Sequence, residues 1–407
     1  NIQDILEKDR AEPFILEQGC LFRIYLIKMR NELFTCVFSN HHAILDGWSV
    51  PILFGYVHEV YLKLKDRTPI LLIKDHSYEV TQSYLQEHKD DHEEYWDKYV
   101  EQIEEQVDLS GLLISKYKQI RLSQYKHIKM PKEKSLAICG LLYNKLKSVS
   151  QREGVTLNAI LQFVWHKVLS IYGNTHQTVL GMTISGRNLP VDNIESSVGL
   201  YINTLPLIVS HKEQMNMSLI AAIKSIQDNI NEINSKSGIS LAKLQKRGER
   251  LFDCLFVYEN YPSLSYKGET ARLKVKFRKV VEKLDYPLCV IVHEENNEII
   301  FKIRFAGELF RHDGIDQLLS TTRVLLEQLV DNSIQTVKNL RYLTSEQYQE
   351  MIVVWNQVEK TYPSHKTIHA LFEEQNEKTP NNIALIYSDI RLTYQELNER
   401  ANELAHY

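Results

Sequence analysis

Apolar and polar residues alternate through "CLFRIYLIKMRNELFTCVFSNHH", and this pattern predicts two strands joined at Arg30-Asn31-Glu32. In the second strand Phe34, Cys36 and Phe38 alternate with Thr35, Val37 and Ser39, so His41 and His42 sit at a strand end. Successive strand side chains point to opposite sides, and if that geometry persists only one of the two histidines faces a given cavity. Past Gly47 the apolar period lengthens to that of a helix. Ser49 is placed as its N-cap and Pro51 in its first turn, where a missing N–H costs nothing. Ile52, Tyr56, Val57, Val60, Tyr61 and Leu64 share one face of this helix. The histidines therefore belong to a strand-to-helix turn.

The acidic stretch "YLQEHKDDHEEYWDKYVEQIEEQ" reads as helix with a solvated charged face. From Thr156, "TLNAILQFVWHKVLSIYG" places Leu157, Ile160, Leu161, Val164, Trp165, Val168, Leu169 and Tyr172 on one stripe and ends at Gly173 as the C′ residue. That helix is expected to be buried on one side, with His166, off the stripe beside Lys167, at the surface. The strand-like "TVLGMTISGR", "YINTLPLIVS", "FDCLFVYENYP", "LCVIVHE" and "IIFKIRFAG" are interrupted by few helices, such as "SLIAAIKSIQDNINEIN" and "GIDQLLSTTRVLLEQLVDN", which indicates α+β layers. Near residue 335 the pattern changes. "LTSEQYQEMIVVWNQ" predicts a helix, "VEKTYPSHK" a linker, and the remainder a helix, a hairpin and a second helix that stop short of a core of their own. The opening "NIQDILEKDRAEPF" starts inside a helical pattern, so the chain reads as a fragment.

With 407 residues, 43% apolar and 25% charged, the chain suits two or three soluble domains. A net charge of -4 with mixed signs creates no field for a polyanion, so no nucleic acid is expected as partner. Five scattered cysteines, Cys20, Cys36, Cys139, Cys254 and Cys289, form no C-x-x-C pair and fit a reducing cytoplasm. No signal peptide or membrane span is predicted.

A metal at His41, His42 and Asp46 is disfavoured, because neighbouring strand residues diverge and zinc needs converging ligands. His88 and His92 stand at i, i+4 but lack a third ligand, so no metal is expected. No G-x-S-x-G elbow occurs; "GMTISGR" has the wrong spacing for a nucleophile. Two readings of H-x-x-x-D then stay open. The histidines pack structurally, or one serves as acid/base or hydrogen-bond partner while Asp46 orients the turn.

The longer string "HHAILDGWS" resembles the H-H-x-x-x-D-G motif of condensation domains of nonribosomal peptide synthetases, with His41, His42, Asp46 and Gly47 on the fixed positions. The resemblance continues in the family's order through "TISGRNLP" (183–190), "SVGLYINTLPL" (197–207), "LFVYENYP" (255–262) and "KLDYPLCVIVHE" (283–294). "TIHALFEEQ" and "LTYQEL" resemble the opening of an adenylation domain. The family's earliest condensation motif is missing at the front.

The resemblance implies an α+β fold of two chloramphenicol-acetyltransferase-like lobes in a V-shaped pseudo-dimer with a central tunnel. On this chain residues 1–130 would be the incomplete N-terminal lobe and 131–350 the C-terminal lobe. Residues 351–366 would be the linker and 367–407 the truncated start of the adenylation domain. Donor and acceptor carrier proteins would present thioesters on 4'-phosphopantetheine arms, with no cofactor bound by the domain itself, and the acceptor amine would attack the donor acyl carbon.

By this analogy His42 faces the chemistry and His41 shapes the turn. An α-amino group titrates near 7.7 to 8.0, so roughly a tenth is neutral at pH 7. Deprotonating it beforehand therefore contributes only about 1 kcal/mol of barrier. His42 is accordingly expected to act on the zwitterionic tetrahedral intermediate, taking its ammonium proton and returning one to the thiolate. Asp46 is expected to pair with Arg187 and tie the lobes together, the other reading of Arg187 being a solvated loop residue. Gly47 leaves room for the acceptor arm or is a plain turn glycine. Asn203 lines the tunnel or serves the strand end, and Trp48 and Ser185 are grouped with these structural or tunnel positions.

Relatives of the same fold are the main rivals. Epimerisation domains usually carry Ser-Trp after the aspartate motif, where this chain has Trp48-Ser49, and heterocyclisation domains replace the histidines by aspartates. A stand-alone acyltransferase would lack the adenylation start. A non-catalytic carrier-docking domain would not need His42, Asp46 and Gly47 intact. The motif also leans toward forms that accept a D-configured donor terminus, a subtype left open here.

Overall fold

A computed structural model describes residues 2–72, 74–104, 106–245, 249–261, 273–276, 278, 280–282, 285–331, 335–359 and 362–407. Pro262 of "LFVYENYP", Lys283 and Leu284 of "KLDYPLCVIVHE", and Lys360 and Thr361 of the linker lie outside the described residues. The chain forms two compact units, Asn1–Thr344 and Ser345–Tyr407.

The first unit opens with α1 (Ile2–Ala11), followed by an antiparallel hairpin of β1 (Phe22–Arg30) and β2 (Leu33–Asn40) in which Phe22 pairs with Asn40. The alternating pattern thus folds as expected. After the histidine turn come α2 (Ser49–Lys65), α3 (Ser77–Glu87) and α4 (Glu93–Glu101). The apolar face expected of α2 is only partly covered, and Tyr56, Val57, Tyr61 and Leu64 stay exposed. The hairpin has just two strands among the described residues, and its own Ile24 and Leu26 are exposed too, so there is little for that face to pack against. In the acidic stretch the charged residues are solvated, yet Trp96 is buried and donates its indole N–H to the Lys236 carbonyl at 2.8 Å.

The main core is a six-stranded sheet of β3 (Pro131–Ile138), β4 (Gln177–Ile184), β5 (Asn203–Ser210), β6 (Cys254–Glu259), β7 (Leu288–Glu295) and β8 (Glu298–Ala306), in the order β3-β8-β7-β6-β4-β5. Two of its pairings, β4 with β6 and β6 with β7, are parallel and the rest are antiparallel. Helices α5 (Gly140–Glu153), α6 (Leu157–Gly173), α8 (Leu219–Ser235) and α10 (His312–Leu329) pack with this sheet, while α7 (His211–Gln214) and α9 (Leu241–Leu244) are short.

Thr156 caps α6 by accepting the Ala159 N–H at 3.1 Å. Two expectations for this helix are corrected. It lies between the sheet and α8 and α10, so it is buried almost all round, and His166 is 0% exposed where a surface position was expected. Its imidazole Nδ1 sits 2.7 Å from Thr178 Oγ1, which is 2.8 Å from His211 Nε2. The left-handed residue at the helix end is Asn174 (φ 46°), not Gly173. Gly173 is instead pressed against Val107, where a Cβ would come within 2.5 Å of Cγ1.

The second unit contains α11 (Ser345–Gln349) running into a π-helical turn, then α12 (Ile368–Lys378), the antiparallel strands β9 (Ile383–Tyr387) and β10 (Ile390–Thr393), and α13 (Tyr394–His406). Thr393 and Glu396 form a reciprocal capping box at the start of α13.

Candidate active site

Strand β2 ends at Asn40, and its ladder reaches one bond further, from the His41 N–H to the Leu21 carbonyl at 2.9 Å. The backbone then turns, so the strict strand geometry considered for the histidine pair does not persist through it. The two rings have different surroundings. His41 accepts the Ala43 N–H on Nδ1 at 3.1 Å and meets the edge of Phe14, so its neutral ring carries the proton on Nε2. It braces the turn. His42 is exposed, and its side chain makes no hydrogen bond among the described residues.

Four residues on, Asp46 is 1% exposed and every acceptor site is used. Its Oδ1 accepts the Ser49 N–H at 2.8 Å, and its Oδ2 accepts the Tyr201 N–H at 3.0 Å. Arg187 Nη2 lies 3.3 Å and 3.5 Å from the two oxygens. Asp46, not Ser49, thereby caps α2; Trp48 at the formal N-cap offers no side-chain bond. Ser49 is the first helical residue, and its hydroxyl accepts from Arg187 Nη2 at 2.8 Å and the Gly199 N–H at 3.0 Å while donating to the Gly199 carbonyl at 2.7 Å. A hydroxyl so fully engaged is not a free nucleophile.

Arg187 is likewise buried, with Nη1 donating to the carbonyls of Ile194 and, at 3.0 Å, Ser197. Its guanidinium stacks 4.0 Å from the Tyr201 ring centre, with Trp48 further out at 5.8 Å. Burial pulls the Arg187 guanidinium below its ordinary value, and the Asp46 carboxylate works the other way. Removing either partner of such a pair strands a buried charge, at a cost of about 3–5 kcal/mol. The Asp46 N–H also donates to the Gly199 carbonyl at 3.2 Å, and Trp48 Nε1 to the Glu195 carbonyl at 2.9 Å. The histidine turn is thus fastened to the connection between β4 and β5, residues 185–202. A solvated loop arginine does not describe Arg187.

Glycines allow these close approaches. Gly186 has φ +64°, and a Cβ there would lie 1.9 Å from the Tyr201 carbonyl oxygen. At Gly47 a Cβ would lie 2.5 Å from Tyr261 Cζ, so the side chain filling that space is Tyr261. The room expected at Gly47 for a substrate arm is occupied, and its backbone has no positive φ to demand a turn glycine. Asn203 is half-buried and donates to the carbonyls of Ser237 (3.1 Å) and Ile239 (2.6 Å) while accepting the Thr204 N–H, which gives it work at the strand end. Ser185 is exposed, and its hydroxyl receives the Arg187 N–H at 3.4 Å.

Ser49, Tyr201 and Tyr261 belong to this arrangement although no role was read for Tyr201 or Tyr261 in their motifs. Tyr201 stands in "SVGLYINTLPL" and Tyr261 in "LFVYENYP", and their place in these two motifs was the available signal. Among the described residues no group of His, Cys, Asp and Glu could hold a metal, and His88 instead stacks on Tyr84 with Nδ1 2.8 Å from its carbonyl. The five cysteines are unpaired, and among the described residues no helix is long and apolar enough to cross a membrane. What the site offers chemically is one free imidazole on a turn held by a buried ion pair.

Comparison with known proteins gives this arrangement its family. The family model for condensation domains matches residues 1–352. An N-(5-amino-5-carboxypentanoyl)-L-cysteinyl-D-valine synthase of Amycolatopsis lactamdurans is 44% identical over 414 residues, covering 100% of this chain and 11% of the relative. The synthase of that name from Penicillium rubens is 41% identical over 416 residues, again 100% of this chain and 11% of the relative. The chain therefore spans about a tenth of the length of these curated relatives. Among solved structures, the X-domain from teicoplanin biosynthesis superposes with a TM-score of 0.68 at 15% identity, over 84% of this chain and 79% of that one. The first condensation domain of the calcium-dependent antibiotic synthetase does so with a TM-score of 0.64 at 16% identity, over 84% and 75%. With its α+β fold shared with these domains and its histidine motif in place, the chain belongs to the condensation-domain family of nonribosomal peptide synthetases.

Proposed function

We propose that this chain forms an amide bond between two carrier-bound substrates, with His42 as the group that handles the proton. The acceptor's neutral amine attacks the donor's thioester carbon; a C–N bond forms and the C–S bond breaks. His42 takes the ammonium proton of the tetrahedral intermediate and returns one to the departing thiolate, so protons balance within the step. The observation that carries this reading is the contrast between the two histidines: His41 is engaged by the Ala43 N–H, whereas His42 is exposed and unengaged. Asp46 and Arg187 are positioning residues that hold the turn.

The partners follow from the same reading. Donor and acceptor carrier proteins bring the thioesters on 4'-phosphopantetheine arms, with no cofactor held by this domain. Residues 1–130 and 131–350 form its two lobes, and residues 367–407 open an adenylation domain after the 351–366 linker. We extend to this chain the tripeptide for which its 44% and 41% identical relatives are named. That product has two amide bonds between its residues, and in making either one the donor carries the 5-amino-5-carboxypentanoyl group at its far end.

The test is single-turnover transfer in the synthetase that contains this chain, followed by the intact mass of the acceptor carrier. Wild type should add the donor's acyl mass to the acceptor, and His42→Ala should abolish the gain while still binding both carriers. Equal transfer by His42→Ala would remove the histidine's role, and carrier binding without transfer in wild type would leave docking.

A further inference from the structure

The face of the six-stranded sheet opposite α6 carries two opposite charges, Glu259 and Lys302, whose side chains make no hydrogen bond among the described residues. Strand register places Glu259 of β6 beside His293 of β7, and one step along it places Ile291 of β7 beside Lys302 of β8. Paired residues share a face, as do residues two apart on one strand, so Glu259, His293, Ile291 and Lys302 all point the same way. Glu259 and Lys302 are both half-buried. The Glu259 carboxylate has His293 Nδ1 at 4.0 Å, beyond hydrogen-bond length, and Lys302 makes no hydrogen bond or ion pair among the described residues. Arg304 on the same face differs, being held by Glu282 at 2.7 Å and Glu133 at 3.5 Å.

Partly desolvated charges that lack hydrogen bonds are unfavourable unless something supplies the missing contacts. Burial, with Glu282 nearby, raises Glu259 above the ordinary carboxylate range against the opposing pull of Arg304 and Lys302, and burial together with Lys302 lowers His293. The imidazole between the two charges is thus biased toward its neutral form. Lys302 lowers the Glu259 carboxyl without forming an ion pair with it, so each charge can still take a contact from a ligand that bears both complementary charges. This face also adjoins the histidine turn: Tyr261, two residues after Glu259, packs against Gly47.

We propose that Glu259 and Lys302 bind the α-ammonium and α-carboxylate of the donor's 5-amino-5-carboxypentanoyl group and so select the acyl chains that this domain condenses. The inference rests on the tripeptide reading above. It explains how one wall can serve either amide bond, since the zwitterionic end of the donor is common to both. Acceptor chemistry is untouched by it.

The experiment loads the donor carrier of the intact synthetase with 5-amino-5-carboxypentanoyl, 5-aminopentanoyl, 5-carboxypentanoyl or pentanoyl thioester. Transfer rates are compared for wild type, Glu259→Gln and Lys302→Met. Glu259→Gln should cut the 5-aminopentanoyl to pentanoyl ratio by about tenfold or more, the scale of one charge-assisted hydrogen bond. Lys302→Met should do the same to the 5-carboxypentanoyl to pentanoyl ratio. Each ratio is taken on one protein preparation, so a partly misfolded variant cannot mimic the effect. Ratios equal to those of wild type, whether absolute rates fall or not, overturn the charge-selective wall but leave amide formation standing. Failure of wild type to transfer any of the four donors would instead overturn amide formation itself, and this inference with it.

Discussion

Arg187 donates from Nη2 to Asp46 across 3.3 Å, although 141 residues of chain separate them. Both side chains are withdrawn from water; Asp46 also accepts the Ser49 and Tyr201 N–H groups, and Arg187 also donates to the Ser49 hydroxyl and to the carbonyls of Ile194 and Ser197. Asp46→Ala should therefore lower stability by about 3–5 kcal/mol, and Arg187→Met, which leaves the carboxylate buried without its cation, should do likewise. The two losses should be strongly non-additive in the double variant. Urea unfolding followed by tryptophan fluorescence checks this, and additive losses would show that the pair is not coupled.

The two histidines should separate stability from chemistry. His42→Ala, at an exposed unbonded side chain, should move stability by less than about 0.5 kcal/mol while abolishing acyl transfer. His41→Ala removes the acceptor of the Ala43 N–H and should cost about 1 kcal/mol, with a partial loss of rate. Unfolding midpoints and single-turnover rates on the same samples decide the matter; a large destabilisation by His42→Ala would contradict the geometry.

Gly47→Ala should be damaging because of Tyr261, whose ring atoms lie 2.5–2.7 Å from the new methyl position. Overpacking of this kind costs about 1–3 kcal/mol. Adding Tyr261→Ala should recover most of the stability lost in Gly47→Ala. If the second change recovers none, the ring is not what excludes a side chain at residue 47.

Acid should weaken the fold through His166 and His211. Burial holds both below the ordinary imidazole range, His211 down to about 3. A folded value below the unfolded one means the unfolded chain binds the proton more readily. Their contribution is complete above the unfolded value near 6.5 and is lost as pH falls below it, for His211 down to about 3, by at most about 1.4 kcal/mol per pH unit for each ring. Unfolding midpoints from pH 7 to pH 4 should fall less steeply in His166→Gln than in wild type; parallel profiles would remove His166 from the acid response.

Much of this was legible in the chain because period and motif are local. Alternation marked β1 and β2, the apolar stripe from Leu157 marked α6, and "HHAILDGWS" marked the turn together with an Asp46–Arg187 pairing. What escaped depended on distant neighbours. His166 looked solvated by position on a helical wheel, but α6 is covered on several sides, and Thr178, itself bonded to His211, supplies its polar contact. The Ser49 hydroxyl looked like a helix cap, yet Gly199, 150 residues away, claims it. Gly47 looked like room for substrate because nothing local indicates that Tyr261 fills the space.

The fastening of the histidine turn to residues 185–202 also bears on how such domains can be recombined. A chimera that exchanges the first 130 residues with another member and keeps its own β4–β5 connection would join Asp46 and Ser49 of one lineage to Arg187, Gly199 and Tyr201 of another. A crossover near residue 130 would then split a single cooperative lock into mismatched halves. Productive hybrids should inherit both segments together, so the natural unit of exchange is discontinuous in sequence.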